Sequence, residues 1–341
     1  MHRSGRVDLL EHESTVLRGN PLGDPYHRIT PVYLPPSYAD SAQRRYAVVY
    51  VLAGFTGHGR MMLHESAWGE NLPQRLDRLI DQGLMAEAIF VMPDCMTRFG
   101  GSQYIDSSAT GPYESYLLKE LIPAIDSRYR TGERRAVVGK SSGGFGALRL
   151  AFKRPDLFHA CVSHSGDAAF EYCYMPDFPA AAIAIEAAGG ATAWFDRFLS
   201  KPKHSSSDHA VINVLGMAAA YSPNPEEEIG FDLPFDPKTA ELRPRVWERW
   251  LAHDPVRIVE TQACRAAELD GVFVDCGTAD QFRLYAGARQ LVDRLRARGI
   301  AVRYEEFADD HFGLSYRYDC SFPWLVDILT DRSRQTTTGS P

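Results

Sequence analysis

Three continuous apolar runs separated by amphipathic stretches constrain this chain more than any other feature. They are "RYAVVYVLAG" (45–54), "AEAIFVMPD" (86–94) and "RRAVVGKSS" (134–142). A strand with one face in water alternates apolar and polar residues, whereas a run that is apolar throughout reads as a strand covered on both faces by helices, as in a parallel sheet. Between the runs lie "ENLPQRLDRLIDQG" (70–83) and "YESYLLKELIPAIDSRY" (113–129), whose apolar residues recur at helical spacing. The alternation predicts an α/β fold with right-handed crossovers.

The same rhythm continues downstream. "GGFGALRLAFKRPDLF" reads as a helix, "HACVSHSGD" and "GVFVDCGTAD" (271–280) as strands, "AGARQLVDRLRARG" (286–299) as a helix and "AVRYEEFADD" (301–310) as a last strand. "ITPVYLPPSY" alternates enough to open the sheet as an antiparallel strand, so about eight strands are expected, mostly parallel, with helices on both faces. Residues 168–258 break the pattern. "PAAAIAIEAAGGATAWFDRFLS" and "PRVWERWLAHDP" look helical, and "YSPNPEEEIGFDLPFDPKT" is too rich in Pro, Asp and Glu for regular structure. Residues 1–167 and 259–330 are therefore expected to form the core, 168–258 a cap or lid inserted into it, and 331–341 a flexible polar tail.

Charge and cysteine usage narrow the partners. The net charge is −7 and no Lys/Arg run follows a phosphate backbone, so nucleic acid is not an expected partner. No segment approaches the 18 apolar residues of a membrane span, and the first residues lack the apolar stretch of a secretory signal. A cytoplasmic protein is expected, with a homo-oligomer left open. The six cysteines are scattered without a C-x-x-C pair or a Cys/His cluster, so free thiols, no metal and no cofactor are expected.

The stretch "VVGKSSGGFG" (137–146) admits two chemistries. Gly139-Lys140-Ser141 could end a phosphate loop, but that loop needs a glycine five positions earlier, where Arg134 stands. The alternative is G-x-S-x-G, a strand-to-helix turn that exposes a nucleophilic serine in strained dihedrals and tolerates only small residues two before and two after it. Gly139 and Gly143 meet that need around Ser141, whereas a frame on Ser142 would put Lys140 at a flank.

A serine hydroxyl is a weak nucleophile and needs a base, which an acid orients. After a nucleophile at such a turn the acid and then the histidine follow in the chain, on loops at later strand ends. Asp275 falls within the apolar run and Asp280 beyond it in the loop, which favours Asp280. His311 follows the last strand, with Asp309 and Asp310 as alternative carboxylates to hold it. His164 precedes the acid, and His204, His209 and His253 lie inside 168–258. Backbone N–H groups of Ser142 and of Phe55, in the loop "LAGFTGHG" after an early strand, are the expected oxyanion donors, with Gly54 permitting a tight loop.

With these residues in place, the chain resembles the esterase D-like "putative esterase" branch of the α/β-hydrolases, which includes S-formylglutathione hydrolases, feruloyl and acetylxylan esterases, enterochelin esterases and mycolyltransferases. The resemblance rests on "GKSSGGFGALRLAFKRPDLF", "YESYLLKELIPAIDSRY", "DCGTADQF" and "DDHFG", and covers roughly 28–167 and 259–329. It implies an α/β-hydrolase fold, a Ser141–Asp280–His311 triad, Phe55 and Ser142 as oxyanion donors, and a serine esterase acting on a small-molecule carboxylic ester. A thioesterase or acyltransferase on the same triad, or a non-catalytic binding scaffold, are the alternatives. Ala53-Gly54 stands where many members have His-Gly, and Ser142 where many have Met, so the pocket floor differs from theirs.

Overall fold

Ten strands occur in the computed structural model, which describes residues 4–261 and 264–331. They are β1 (Arg6–Glu13), β2 (His27–Leu34), β3 (Tyr46–Leu52), β4 (Ile89–Val91), β5 (Asp106–Ser107), β6 (Gly111–Pro112), β7 (Thr131–Lys140), β8 (Ala160–His164), β9 (Gly271–Gly277) and β10 (Val302–Phe307). Eight of them build one sheet in the order β1-β2-β4-β3-β7-β8-β9-β10, while β5 and β6 pair by themselves. Along the eight-stranded sheet the pairings from β4 through β3, β7, β8 and β9 to β10 are parallel, and β1–β2 and β2–β4 are antiparallel, as is the separate β5–β6 pair.

The continuous apolar runs are explained by burial on both faces. Along β3, Val48, Tyr50 and Leu52 enter one apolar cluster, and Val49 and Val51 enter the other. Val137 on β7 and Cys161 on β8 join the first cluster; Val138 and Val162 join the second. Leu72, Leu76 and Leu79 of the helix Leu72–Asp81, together with Phe322, Leu325 and Leu329 of the helix Tyr318–Thr330, cover the second face. The first face takes the helices Ser142–Lys153 and Leu284–Ala297.

Two local features depart from the sequence pattern. β1 carries no apolar run: its residues are exposed or half-buried at the sheet edge without strict alternation, so nothing marked it as a strand. The helix expected over 113–129 contains a π segment, Tyr116–Leu121, in which the Ile122 N–H reaches back five residues to the Leu117 carbonyl. Pro123, two residues beyond its end, has no N–H to continue the ordinary ladder.

Residues 168–258 supply the helices Phe178–Ala188, Ala191–Ser200, Ser206–Tyr221 and Pro244–Leu251. Between the last two, 222–243 holds only the isolated bridges Pro223–Phe231 and Phe235–Leu242 among the described residues. Phe178, Phe231, Phe235, Trp247 and Trp250 are buried in the same apolar cluster as the first face of the sheet. The polar tail expected over 331–341 lies, Asp331 apart, outside the described residues. None of the helices among the described residues is long and apolar enough to cross a membrane.

Candidate active site

β7 ends at Lys140 and a helix begins at Ser142, so Ser141 alone makes the reversal, at φ 57° and ψ −127°. A left-handed φ at a residue with a side chain is costly and persists only where neighbours over-determine it. Here the Ser141 N–H donates to the His164 carbonyl at 2.9 Å, and its carbonyl accepts from the Phe145 N–H at 3.0 Å. The flanking glycines are demanded by contact: a Cβ on Gly139 would stand 2.3 Å from the Gly143 carbonyl, and one on Gly143 only 2.2 Å from the Leu52 carbonyl.

The structure brings Ser141, His311 and Asp280 together. His311 Nε2 lies 3.1 Å from Ser141 Oγ, and His311 Nδ1 lies 2.7 Å from Asp280 Oδ2. The loop after β9 fixes the acid, because Asp280 Oδ1 accepts from the Phe282 N–H at 2.9 Å and from the Leu284 N–H at 3.4 Å. The His311 N–H donates to Gln281 Oε1 at 3.0 Å, tying the loop after β10 to the loop after β9. Asp280 and His311 are each 3% exposed, so the pair is shielded from competing water.

The rival carboxylates are engaged elsewhere. Asp275 on β9 is fully buried, bonds His164 Nδ1 at 2.8 Å and accepts from Arg317 Nε at 2.8 Å. Asp309 accepts from the Tyr316 hydroxyl, and Asp310 from the Phe312 N–H. His164, set aside from chain order, also reaches Ser321 Oγ at 2.9 Å through Nε2, which makes a second Ser-His-Asp chain inside the core.

A cavity of about 520 Å³ opens over Ser141. Phe55 and Ser142 line it, as does Gly54, whose added Cβ would touch Ser141 Cβ at 3.4 Å, so the loop after β3 passes beside the serine. The two adjacent serines face different partners, for Ser142 Oγ donates to Asp167 Oδ2 at 2.9 Å. Burial pushes the Asp167 carboxyl up, against the hydrogen bonds from Tyr174 and Ser142 that pull it down. Lys140 also lines the cavity, where desolvation lowers its ammonium pKa despite Asp280, Asp167 and Asp310 nearby. Its Nζ lies 5.5 Å from the centre of the Phe312 ring.

Asp167, Asn213 and Phe282 line the same space and escaped the sequence reading, and His209, set aside for its place inside 168–258, lines it too. The signal for Asp167 was its place in "SHSGD" just past β8, a strand end on the same side as Ser141. From residues 168–258, Cys173, Tyr174, Ser206, His209 and Asn213 reach the cavity. Among the described residues no group of three or more His, Cys, Asp or Glu side chains could hold a metal.

Comparison with known proteins agrees with this architecture. Residues 27–318 match the "putative esterase" family model. An esterase of Mycobacterium tuberculosis strain H37Rv is 41% identical over 85 residues, covering 24% of this chain and 18% of the relative. An endo-1,4-beta-xylanase/feruloyl esterase of Xylanibacter ruminicola is 31% identical over 164 residues, covering 43% of this chain and 20% of the relative. The chain thus matches about a fifth of the length of these curated relatives. Among solved structures, a ferulic acid esterase superposes with a TM-score of 0.59 at 22% identity, over 96% of this chain and 99% of the other. An S-formylglutathione hydrolase from Agrobacterium tumefaciens gives 0.56 at 18% identity, over 96% and 97%. At these identities the superpositions establish the fold, an α/β-hydrolase sheet.

Proposed function

The chain belongs to the "putative esterase" family, and from that premise we propose that it is a serine esterase, hydrolysing small-molecule carboxylic esters through an acyl-enzyme on Ser141. The observation that carries the reading is the unbroken hydrogen-bonded path from the strained Ser141 through His311 to Asp280, at 3.1 and 2.7 Å. His311 takes the Ser141 proton as Oγ attacks the ester carbonyl, and the backbone N–H groups of Phe55 and Ser142 hold the oxyanion. The imidazolium then protonates the leaving alcohol. Water, deprotonated by the same histidine, releases the acid and restores Ser141. Asp280 keeps the Nδ1–H tautomer and stabilises the imidazolium. Residues 168–258 act as the cap that walls the substrate cavity, a role supported by the five side chains they place along it.

The test is labelling by a fluorophosphonate probe and turnover of p-nitrophenyl acetate. Both are expected of the folded protein and neither of Ser141→Ala. Labelling that survives Ser141→Ala would overturn the assignment. Turnover confined to a thioester such as S-formylglutathione would replace carboxylic esters with thioesters on the same triad.

A further inference from the structure

Asp167 lies on the floor of the cavity, 5% exposed. Three donors converge on one of its two oxygens: the Tyr174 hydroxyl at 2.7 Å, the Ser142 hydroxyl at 2.9 Å and the Gln103 amide at 3.3 Å all reach Oδ2. Among the described residues none of the hydrogen bonds to Asp167 falls on Oδ1. The holders are themselves pinned. The Gln103 amide also donates to the Tyr221 hydroxyl at 2.9 Å, and Tyr221 stacks on Phe170 with ring centres 5.2 Å apart. With Oδ2 turned into this network, Oδ1 is the oxygen left facing the cavity. A carboxylate oxygen withdrawn from bulk water with no donor is costly, and a donor brought by a ligand recovers that cost.

Resting on the acyl-enzyme reading above, we propose that Asp167 Oδ1 accepts a hydrogen bond from a hydroxyl on the acyl group, so that the preferred substrates are esters of hydroxy acids. The acyl side follows from the depth of the site. The leaving oxygen must stand at His311 Nε2, whose neighbour Phe312 is 59% exposed at the rim, so the leaving group points outward and the acyl group fills the floor. A hydroxyl fits better than an ammonium. Lys140 already brings a positive charge to this cavity, and Phe55, Cys173, Phe282 and Leu284 around it offer a second cation no solvation.

The contact is read in two ways. In the wild-type enzyme, alkylboronic acids from propyl to heptyl, which add to the nucleophilic serine, are compared with their terminally hydroxylated and terminally aminated counterparts as inhibitors of p-nitrophenyl acetate hydrolysis. At one chain length the hydroxyl is expected to tighten inhibition by about tenfold or more, the scale of a hydrogen bond to a charged group. The same preference is expected in kcat/KM for ethyl esters of hydroxylated against plain straight-chain acids. Asp167→Asn is expected to lower that ratio several-fold: its carbonyl oxygen stays with the three donors, and the NH2 in the place of Oδ1 can only donate to the hydroxyl oxygen in a neutral bond. The ratio cancels any uniform loss of activity, and the boronic acid series needs no variant. Boronic acids that all inhibit with no hydroxyl preference at any length, or with an amine preference, overturn this proposal alone. If neither boronic acids nor a fluorophosphonate engage Ser141, the acyl-enzyme reading falls and takes this one with it.

Discussion

Asp280→Asn should remove nearly all hydrolysis while leaving the fold intact, and the reason lies in which side of the carboxylate each partner occupies. Oδ1 accepts two backbone N–H groups, from Phe282 and Leu284, and Oδ2 faces His311 Nδ1. An asparagine has one acceptor oxygen. If its NH2 took the Oδ1 place, donors would meet donors and two buried backbone N–H groups would go unpaired, at about 1–3 kcal/mol each. The amide therefore keeps its oxygen with the backbone and turns its NH2 toward the imidazole. Nδ1 must then accept, the ring proton moves to Nε2, and Nε2 can no longer take the proton of Ser141 Oγ. Loss of the base by tautomer reversal costs about ten-thousandfold in kcat, or about 5.5 kcal/mol of barrier at about 1.4 kcal/mol per tenfold. The assay is p-nitrophenyl acetate turnover at saturating substrate beside a thermal melt. A melt within a few degrees of wild type with activity down by less than tenfold would show that Asp280 does not set the His311 tautomer.

Three other outcomes are expected. Gly143→Ala puts a Cβ 2.2 Å from the Leu52 carbonyl and 2.8 Å from that of Ala53, both backbone, and should cost about 3 kcal/mol in chemical denaturation; a loss under about 1 kcal/mol would show that the turn can shift. Asp275→Asn strips the carboxylate from buried Arg317 and His164 and should lower stability by about 3 kcal/mol, yet the folded fraction should still label with fluorophosphonate, because Asp275 is not on the Ser141 path. The third is a pH effect at His253, whose pKa burial lowers from 6.5 to about 4 while its ring stacks on Tyr221. The unfolded chain takes up that proton below pH 6.5 and the folded chain only near pH 4, so stability present above 6.5 falls by about 2–3 kcal/mol across the window. His253→Gln should flatten that part of a melting-temperature profile against pH; an unchanged slope would discard the assignment.

What could be read from the sequence was what a few neighbouring residues decide together. The turn at Ser141 needs Gly139 and Gly143 within five residues of chain, and the choice of Asp280 over Asp275 needed only the end of the apolar run, which the structure places at Gly277. β3, β4 and β7 announced themselves because both faces are buried. β1 did not, since an edge strand is neither wholly buried nor cleanly alternating. The helix Ser206–Tyr221 was missed for the opposite reason: apolar and small residues from Val211 to Tyr221 are buried all round it, so no polar stripe marks its period. The network on Asp167 was not legible, because Gln103, Ser142 and Tyr174 come from separate elements and only folding gathers them onto one carboxylate.

Hydrogen-bond geometry alone would not have singled out the site, because the fold contains two Ser-His-Asp chains of similar dimensions. Ser321, His164 and Asp275 are linked at 2.9 and 2.8 Å, as closely as Ser141, His311 and Asp280. What separates them is access and charge. Ser321 sits within the ordinary helix Tyr318–Thr330 and is fully buried, so no ester carbonyl can reach its Oγ. Arg317 already neutralises Asp275, which removes the negative charge that an imidazolium would need beside it. Ser141, by contrast, borders an open cavity at a reversal that its two glycines impose, with backbone N–H groups of the next helix beside it. The inner chain fastens the helix Tyr318–Thr330 to β8 and β9, and so steadies the strand ends that carry the outer one. If that division of labour is right, Ser321→Ala and Ser141→Ala should behave as opposites: the first should lower the melting temperature and keep fluorophosphonate labelling, and the second should abolish labelling at little cost in stability. Loss of labelling in folded Ser321→Ala would mean that the two chains are coupled through β8, where the His164 carbonyl holds the Ser141 N–H.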